Sequence, residues 1–315
     1  MDWRLNDRAV RHAANLSELA GDLRIVPHDV AGARVYDFGI QAAGGLSAGL
    51  KLAQICMSGL AEISFATCDL GGVNWPSIQV ISDHPLAACL FSQYAGWQIG
   101  VEKYFAMGSG PMRAASGRET VFQKFQYRET PAAVVGVLEG RKLPTPAVLA
   151  FLADKTGVSA ENTTLLIAPT ASQAGNVQVV ARVVETALHK LFELGFDMQR
   201  IVSAFGTAPL SPVAKDDLTG IGRTNDAILY GGRVTLWVRG DDASLAEIGP
   251  QVPANASASY GRPFLEIFEA AGRDFYKIDP HLFSPAEIVF QNLDSGKAQT
   301  FGQINPSVLK QSFGI

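Results

Sequence analysis

The side chains best placed for chemistry in this sequence are Arg182 and Glu185, an arginine and a carboxylate three positions apart in a strongly apolar run. Val177, Val179, Val180, Ala181, Val183, Val184, Ala187 and Leu188 surround them, and a helix apolar on nearly every side is a buried one. Gln178, Arg182, Glu185 and His189 recur at spacings of 4, 3 and 4, which predicts one narrow polar stripe on a single helix. Such a stripe should face a cleft or another polar surface. An Arg/Glu pair at i, i+3 is commonly an ordinary helix ion pair; burying two charges is costly, so apolar surroundings also admit a functional pair. Ser172 or Asn176 in the preceding Thr170-Ala171-Ser172-Gln173-Ala174-Gly175-Asn176 can cap the helix start.

Other constellations are less specific. Ser82-Asp83-His84-Pro85 follows a strand-like run, so Asp83 and His84 suit acid–base work or, more simply, a helix cap with a surface histidine. Phe105-Ala106-Met107-Gly108-Ser109-Gly110-Pro111 reads as a glycine-rich loop. Gly108, Ser109 and Gly110 can present backbone N–H groups to an anion or a ring, without the lysine of a P-loop or the spacing of a dinucleotide fingerprint. Arg223-Thr224-Asn225-Asp226 precedes Ile228-Leu229-Tyr230-Gly231-Gly232; this reads as polar groups before a strand, for a heterocycle or a hairpin turn. No GxSxG, HExxH or CxxC occurs, and His12, His28, His84, His189 and His281 do not cluster, so no metal site or nucleophilic triad is expected.

The elements that must position these groups alternate in type. An amphipathic helix is expected over 5–20 and a helix opening on Gly44-Gly45 and running to about Cys56. Strand-length apolar runs lie at 23–27, 33–38, 60–65, 78–81, 132–138, 165–168, 201–205, 234–238 and 288–290. Helical patterns lie at 85–95, 145–156, 176–194, 263–271 and 306–313. This order predicts an α/β protein. At 315 residues, two mixed α/β domains are expected, at roughly 150 residues each. The polar stretch 116–131 marks the seam, giving domains 1–128 and 129–315, with the tail 284–315 free to pack back on the first.

Composition excludes several classes. With 47% apolar and 18% charged residues, the chain is not disordered. A net charge of −4 without basic clusters argues against a nucleic-acid partner. The charged opening Met1-Asp2-Trp3-Arg4 lacks a secretory apolar core, and no run approaches membrane-spanning length. Three cysteines without ligand spacing suggest reduced, buried thiols in a cytoplasmic protein.

Several segments in series resemble one family. Gln41-Ala42-Ala43-Gly44-Gly45, SDHP at 82–85, YFAMGSGP at 104–111, APTAS at 168–172, ARVVET at 181–186, GTAP at 206–209, GRTNDAILYGG at 222–232, FYKIDP at 275–280 and the closing LKQSFGI are together similar to methenyltetrahydromethanopterin cyclohydrolases, in matching order along nearly the whole chain. The resemblance implies a cytoplasmic α/β homotrimer with a pocket between two domains. It implies hydrolysis of 5,10-methenyltetrahydromethanopterin to the 5-formyl compound with no metal or redox cofactor. The family's catalytic arginine and glutamate fall on Arg182 and Glu185. The low charged fraction points to the dephosphorylated pterin and a methylotrophic bacterial source.

On that resemblance Glu185 is the general base that takes a proton from the attacking water. Burial is expected to raise its pKa and Arg182 to oppose the rise. The pterin edge needs donors and acceptors, and Asp83, Gly108, Ser109, Gly110, Thr170, Ser172, Thr207, Asn225 and Asp226 all lie near expected strand ends or helix starts. At least two of these segments are expected to converge on one interdomain cleft with Arg182 and Glu185 on its floor. Two other readings stay open: a nicotinamide-dependent oxidoreductase, disfavoured by the missing GxGxxG, and a noncatalytic pterin- or nucleotide-binding protein.

Overall fold

The computed structural model describes residues 2–315, with Tyr276 described by its backbone alone. In chain order the helices are α1 (Leu5–Ala13), α2 (Ala20–Leu23), α3 (Leu46–Cys56), α4 (Met112–Ser116), α5 (Thr120–Lys124), α6 (Pro146–Thr156), α7 (Gln173–Val180), α8 (Val183–Glu193), α9 (Asp217–Gly231), α10 (Asp242–Ile248), α11 (Phe264–Ala270) and α12 (Pro306–Phe313). The strands are β1 (Val26–Val30), β2 (Ala33–Asp37), β3 (Glu62–Asp69), β4 (Asn74–Ser82), β5 (Trp97–Val101), β6 (Tyr104–Ser109), β7 (Val134–Glu139), β8 (Thr163–Ala168), β9 (Ile201–Pro209), β10 (Arg233–Val238), β11 (Glu287–Asn292) and β12 (Ala298–Gly302). Both sheets are mixed and helix-backed, so the α/β class holds.

The chain forms two compact units, residues 1–61 with 87–178, and residues 62–86 with 179–315. It therefore passes between units near 61, 86 and 178 rather than once near 128. The polar stretch 116–131 lies inside the first unit and holds α5, and the tail from 284 lies in the second. Composition shifts mark solvated segments, whereas unit membership follows strand pairing, which links residues distant in sequence.

The first unit is built on a sheet of order β1-β2-β8-β7-β6-β5. Its middle strands β2, β8 and β7 are parallel; residues 134–138 of β7 and 165–168 of β8 read as unbroken apolar runs because both faces are covered. Leu165 and Ile167 face a core with Leu149 and Leu152 of α6, whereas Leu166 and Ala168 face one with Leu52 and Ile55 of α3. The helical pattern at 85–95 is realised as a π-helical segment, Leu86–Gln93. Carbonyls of Leu90, Phe91 and Ser92 accept from the buried Arg113 Nη1 at 3.4, 3.4 and 3.1 Å.

The second unit has the order β12-β11-β10-β9-β4-β3. Here only β10 and β11 run parallel. Val234, Leu236 and Val238 are buried while the alternate residues of β10 are less so, as expected of a sheet with one helix-covered face. Helix α8 packs on β9 and β10, and α9 packs on β9 and against α11 and α12. Asp216 caps α9 and Asn305 caps α12, each accepting a backbone N–H of the first turn. Among the described residues no helix is long and apolar enough to cross a membrane.

Candidate active site

The helix expected over 176–194 is two helices. Helix α7 ends at Val180 and α8 starts at Val183. Between them Arg182 N donates to Val179 O at 3.1 Å, a tighter i to i−3 turn, and Thr186 N then donates to Arg182 O at 2.9 Å. Four β-branched valines flank the break, residues that crowd a helix and hold it weakly. The break divides the predicted polar stripe: Gln178 ends a segment of the first unit, and Arg182, Glu185 and His189 belong to the second.

The break also sets the electrostatics of the pair. Arg182 stands at the N-cap of α8 and Glu185 lies in its first turn. Unpaired N–H groups there favour a negative charge. The Glu185 side chain is buried, with 4% of its surface exposed, and Arg182 is half-buried. A carboxylate in this position is shielded from bulk water yet electrostatically supported, which suits a proton acceptor. His189 turns to a different partner, Glu193, at 3.7 Å.

In the first unit, β2, β8 and β7 end together at Asp37, Ala168 and Glu139. Ligands of open parallel sheets collect at such carboxyl ends. Thr170 is buried there and Ser172 is half-buried; the Ser172 hydroxyl donates to Pro169 O at 2.8 Å and accepts Gly175 N at 3.0 Å, so it caps α7. Asp37 anchors the neighbouring loop. Its carboxylate accepts the N–H groups of Gly39, Ile40, Gln41 and Ala42 at 2.8, 2.6, 2.8 and 3.0 Å. Burial pushes the Asp37 carboxyl up, but these donors outweigh it and hold the group below its ordinary range. The sequence reading missed Asp37; the available signal was an aspartate closing an apolar strand just before Gly39.

The segment 105–111 is not a loop. Gly108 and Ser109 finish strand β6, and the turn begins at Gly110, whose φ is +85°. Ser109 is fully buried, donates to Val137 O at 3.3 Å and lies 3.5 Å from Cys56 Sγ. Gln178 Nε2 approaches the same sulfur at 3.6 Å. Ser109 thus contributes to a buried polar cluster beneath α3.

The segment 222–232, read as a turn before a strand, lies in α9 up to Gly231. Asn225 Nδ2 donates to Ile221 O at 2.8 Å along that helix. Asp226 is fully buried and accepts Phe264 N at 2.8 Å and Ser312 Oγ at 2.6 Å, joining α9 to α11 and α12. Burial pushes its carboxyl up to about 7 against the effect of those two donors. Asp83 is exposed just beyond β4 and accepts Ser203 Oγ at 2.7 Å. Thr207 is half-buried on β9, on the face opposite Gly206 and so away from α8. No group of three or more His, Cys, Asp or Glu side chains among the described residues is arranged to hold a metal ion.

Comparison with known proteins covers nearly the whole chain. The family described as "Cyclohydrolase (MCH)" matches residues 4–313. The methenyltetrahydromethanopterin cyclohydrolase of Methylobacillus flagellatus is 44% identical over 312 residues, covering 98% of this chain and 94% of that protein. The Rhodopirellula baltica protein of the same name is 45% identical over 298 residues, 93% of this chain and 90% of its own. The Methanosarcina barkeri protein, also so named, is 44% identical over 287 residues, 90% and 89% of the two chains. With a match this long to the family and relatives this similar end to end, the chain belongs to the methenyltetrahydromethanopterin cyclohydrolase family of enzymes.

Proposed function

We propose that this chain hydrolyses 5,10-methenyltetrahydromethanopterin, or its dephospho form, to the 5-formyl derivative, with Glu185 as general base and Arg182 tuning it. The observation that carries the reading is the buried Glu185 carboxylate in the first turn of α8, three residues beyond Arg182 at the N-cap. The substrate's bridging carbon is an amidinium-like cation and already electrophilic. Water adds its oxygen to that carbon and gives one proton to Glu185. The bond from that carbon to the other nitrogen then breaks, the added hydroxyl becoming the formyl carbonyl on N5 as its proton passes to the departing nitrogen, and the proton taken by Glu185 is released to solvent. A positioned base of this kind contributes typically 10²–10⁴-fold.

Arg182 keeps the carboxyl ionised and oriented. The half-buried or exposed Asp83, Ser172, Thr207 and Asn225 have polar atoms to offer a pterin edge. Gly108, Gly110 and Thr170 act through backbone and shape, while the buried Ser109 and Asp226 hold the scaffold. The enzyme works as a cytoplasmic homotrimer and needs neither metal nor redox cofactor. The test follows loss of the methenyl absorbance. Glu185→Gln should lower kcat on the order of a hundredfold or more with a much smaller change in substrate binding. Wild-type turnover in that variant removes the base assignment.

A further inference from the structure

Where the first turn of α8 crosses β9, the strand carries Gly206. A β-carbon built there would lie 2.6 Å from Val184 Cγ2 and 2.9 Å from Val183 Cγ1, with Val184 N 3.6 Å away. Both valines are wholly buried, and β-branched side chains in a helix are confined to essentially one χ1 rotamer. Neither can swing aside, and the helix backbone lies directly behind them. The same face of β9 carries Ala204 and Ala208 on either side, so the strand is smallest at the crossing. Gly206 is not among the residues with positive φ. Backbone conformation therefore does not require glycine here; the space does.

We propose that Gly206 is a positioning residue for the hydrolysis: its missing side chain seats the first turn of α8 on β9 and thereby sets the depth of the Glu185 carboxylate. The inference rests on Glu185 being the base. Val183 and Val184 are the two residues immediately before Glu185, so lifting them lifts the carboxylate with them. Restoring van der Waals contact around an added methyl group requires a shift of about 1 Å, and a misplacement of that size can cost on the order of 10²-fold in rate.

The test is steady-state kinetics of Gly206→Ala, of Gly206→Ala/Val184→Ala and of Glu185→Gln, with circular dichroism and thermal melting to confirm folding. Folded Gly206→Ala should lose about 10- to 100-fold in kcat while KM stays within about threefold, since the loss falls on the chemical step. Removing the Val184 methyl groups in the double variant relieves the tighter of the two contacts and should return part of kcat, a recovery that general loss of stability would not produce. A folded Gly206→Ala with kcat near wild type overturns the proposal, as does a double variant no faster than the single one. If Gly206→Ala alone fails to fold, the double variant decides: folded and active supports the seating, folded and inactive or unfolded overturns it. Normal turnover in Glu185→Gln would defeat the base assignment itself. A crippled Glu185→Gln beside a normal Gly206→Ala would defeat only the role of Gly206.

Discussion

The Glu185 carboxylate is subject to opposing influences that all act within one turn of chain. Burial disfavours its charge and the N-terminal turn of α8 favours it; on the proposed reading the guanidinium three residues earlier adds to that support. Removing the cation tips that balance. In Arg182→Ala the carboxyl should titrate at higher pH, so the acid limb of the pH–rate profile should move upward along with a fall in kcat. Measuring kcat from about pH 5 to 9 checks this across the range where a raised carboxyl titrates, and an unmoved profile in a folded variant discards the tuning role. The pair was legible as residues because two charges in a run of valines and alanines stand out against any composition. Asp37 was not legible, since a single aspartate after a strand looks like countless turn residues until its four N–H donors are in place.

At the scale of elements, the segment containing Asp226 shows how packing overrides local signals. Its polar residues 223–226, followed by Ile228-Leu229-Tyr230 and the pair Gly231-Gly232, read as polar groups before a strand or a hairpin turn. They lie in helix α9 up to Gly231, and Gly222 admits α11 close to it: a β-carbon there would lie 2.9 Å from Leu265 Cβ. The Asp226 carboxyl that fastens α9 to α11 and α12 titrates near 7 when folded, above its ordinary 3.8. Between about pH 4 and 7 the folded state then binds more protons than the unfolded one, so this group's contribution to stability falls as pH rises through that window. Asp226→Asn keeps an acceptor for Phe264 N and offers Nδ2 to Ser312 Oγ, reversing the direction of that bond, but cannot ionise. Relative to wild type it should gain stability as pH is raised from 4 to 8, by an amount on the order of a few kcal/mol. Urea unfolding at the two pH values measures it, and a constant difference would show that Asp226 does not titrate in this range. Strand β6 was misread for a related reason: Gly108 and Gly110 suggested a loop, while β5 pairs with residues 104–108 and β7 with residues 107–109, which together make the segment a strand.

For the whole molecule, the second unit is closed by its last residues. Lys310 Nζ donates to Gly71 O at 2.9 Å across 239 positions of sequence. The Phe313 ring lies 6.1 Å from that of Trp75, and Ser312 completes the bonding of Asp226. The C-terminal helix thus ties the strand pair β3–β4 to the body of its unit. Phe313 is 3% exposed, and truncating a buried phenylalanine typically costs 3–5 kcal/mol, so Phe313→Ala should destabilise by about that much. Thermal or urea unfolding of the variant checks this; a loss below about 1 kcal/mol would mean that the helix contributes little to closure. A single cut near 128 missed this arrangement because nothing local in residues 62–86 announces a partner more than a hundred residues later.

Most element types followed from the sequence by itself, because hydrophobic period is a local property. The runs at 33–38, 165–168, 201–205 and 234–238 became β2, β8, β9 and β10, and the patterns at 145–156 and 306–313 became α6 and α12. The family was also legible there, since many short segments in fixed order are specific together even when each is weak alone. Only the tertiary structure decided what depends on contact between distant residues. It split one predicted helix at Arg182, where a tighter i to i−3 turn interrupts the hydrogen-bond ladder between α7 and α8. It buried Asp226 and Ser109, which by type looked available to a ligand. It also gave Gly206 its meaning, because the space that a missing β-carbon leaves exists only once α8 lies across β9.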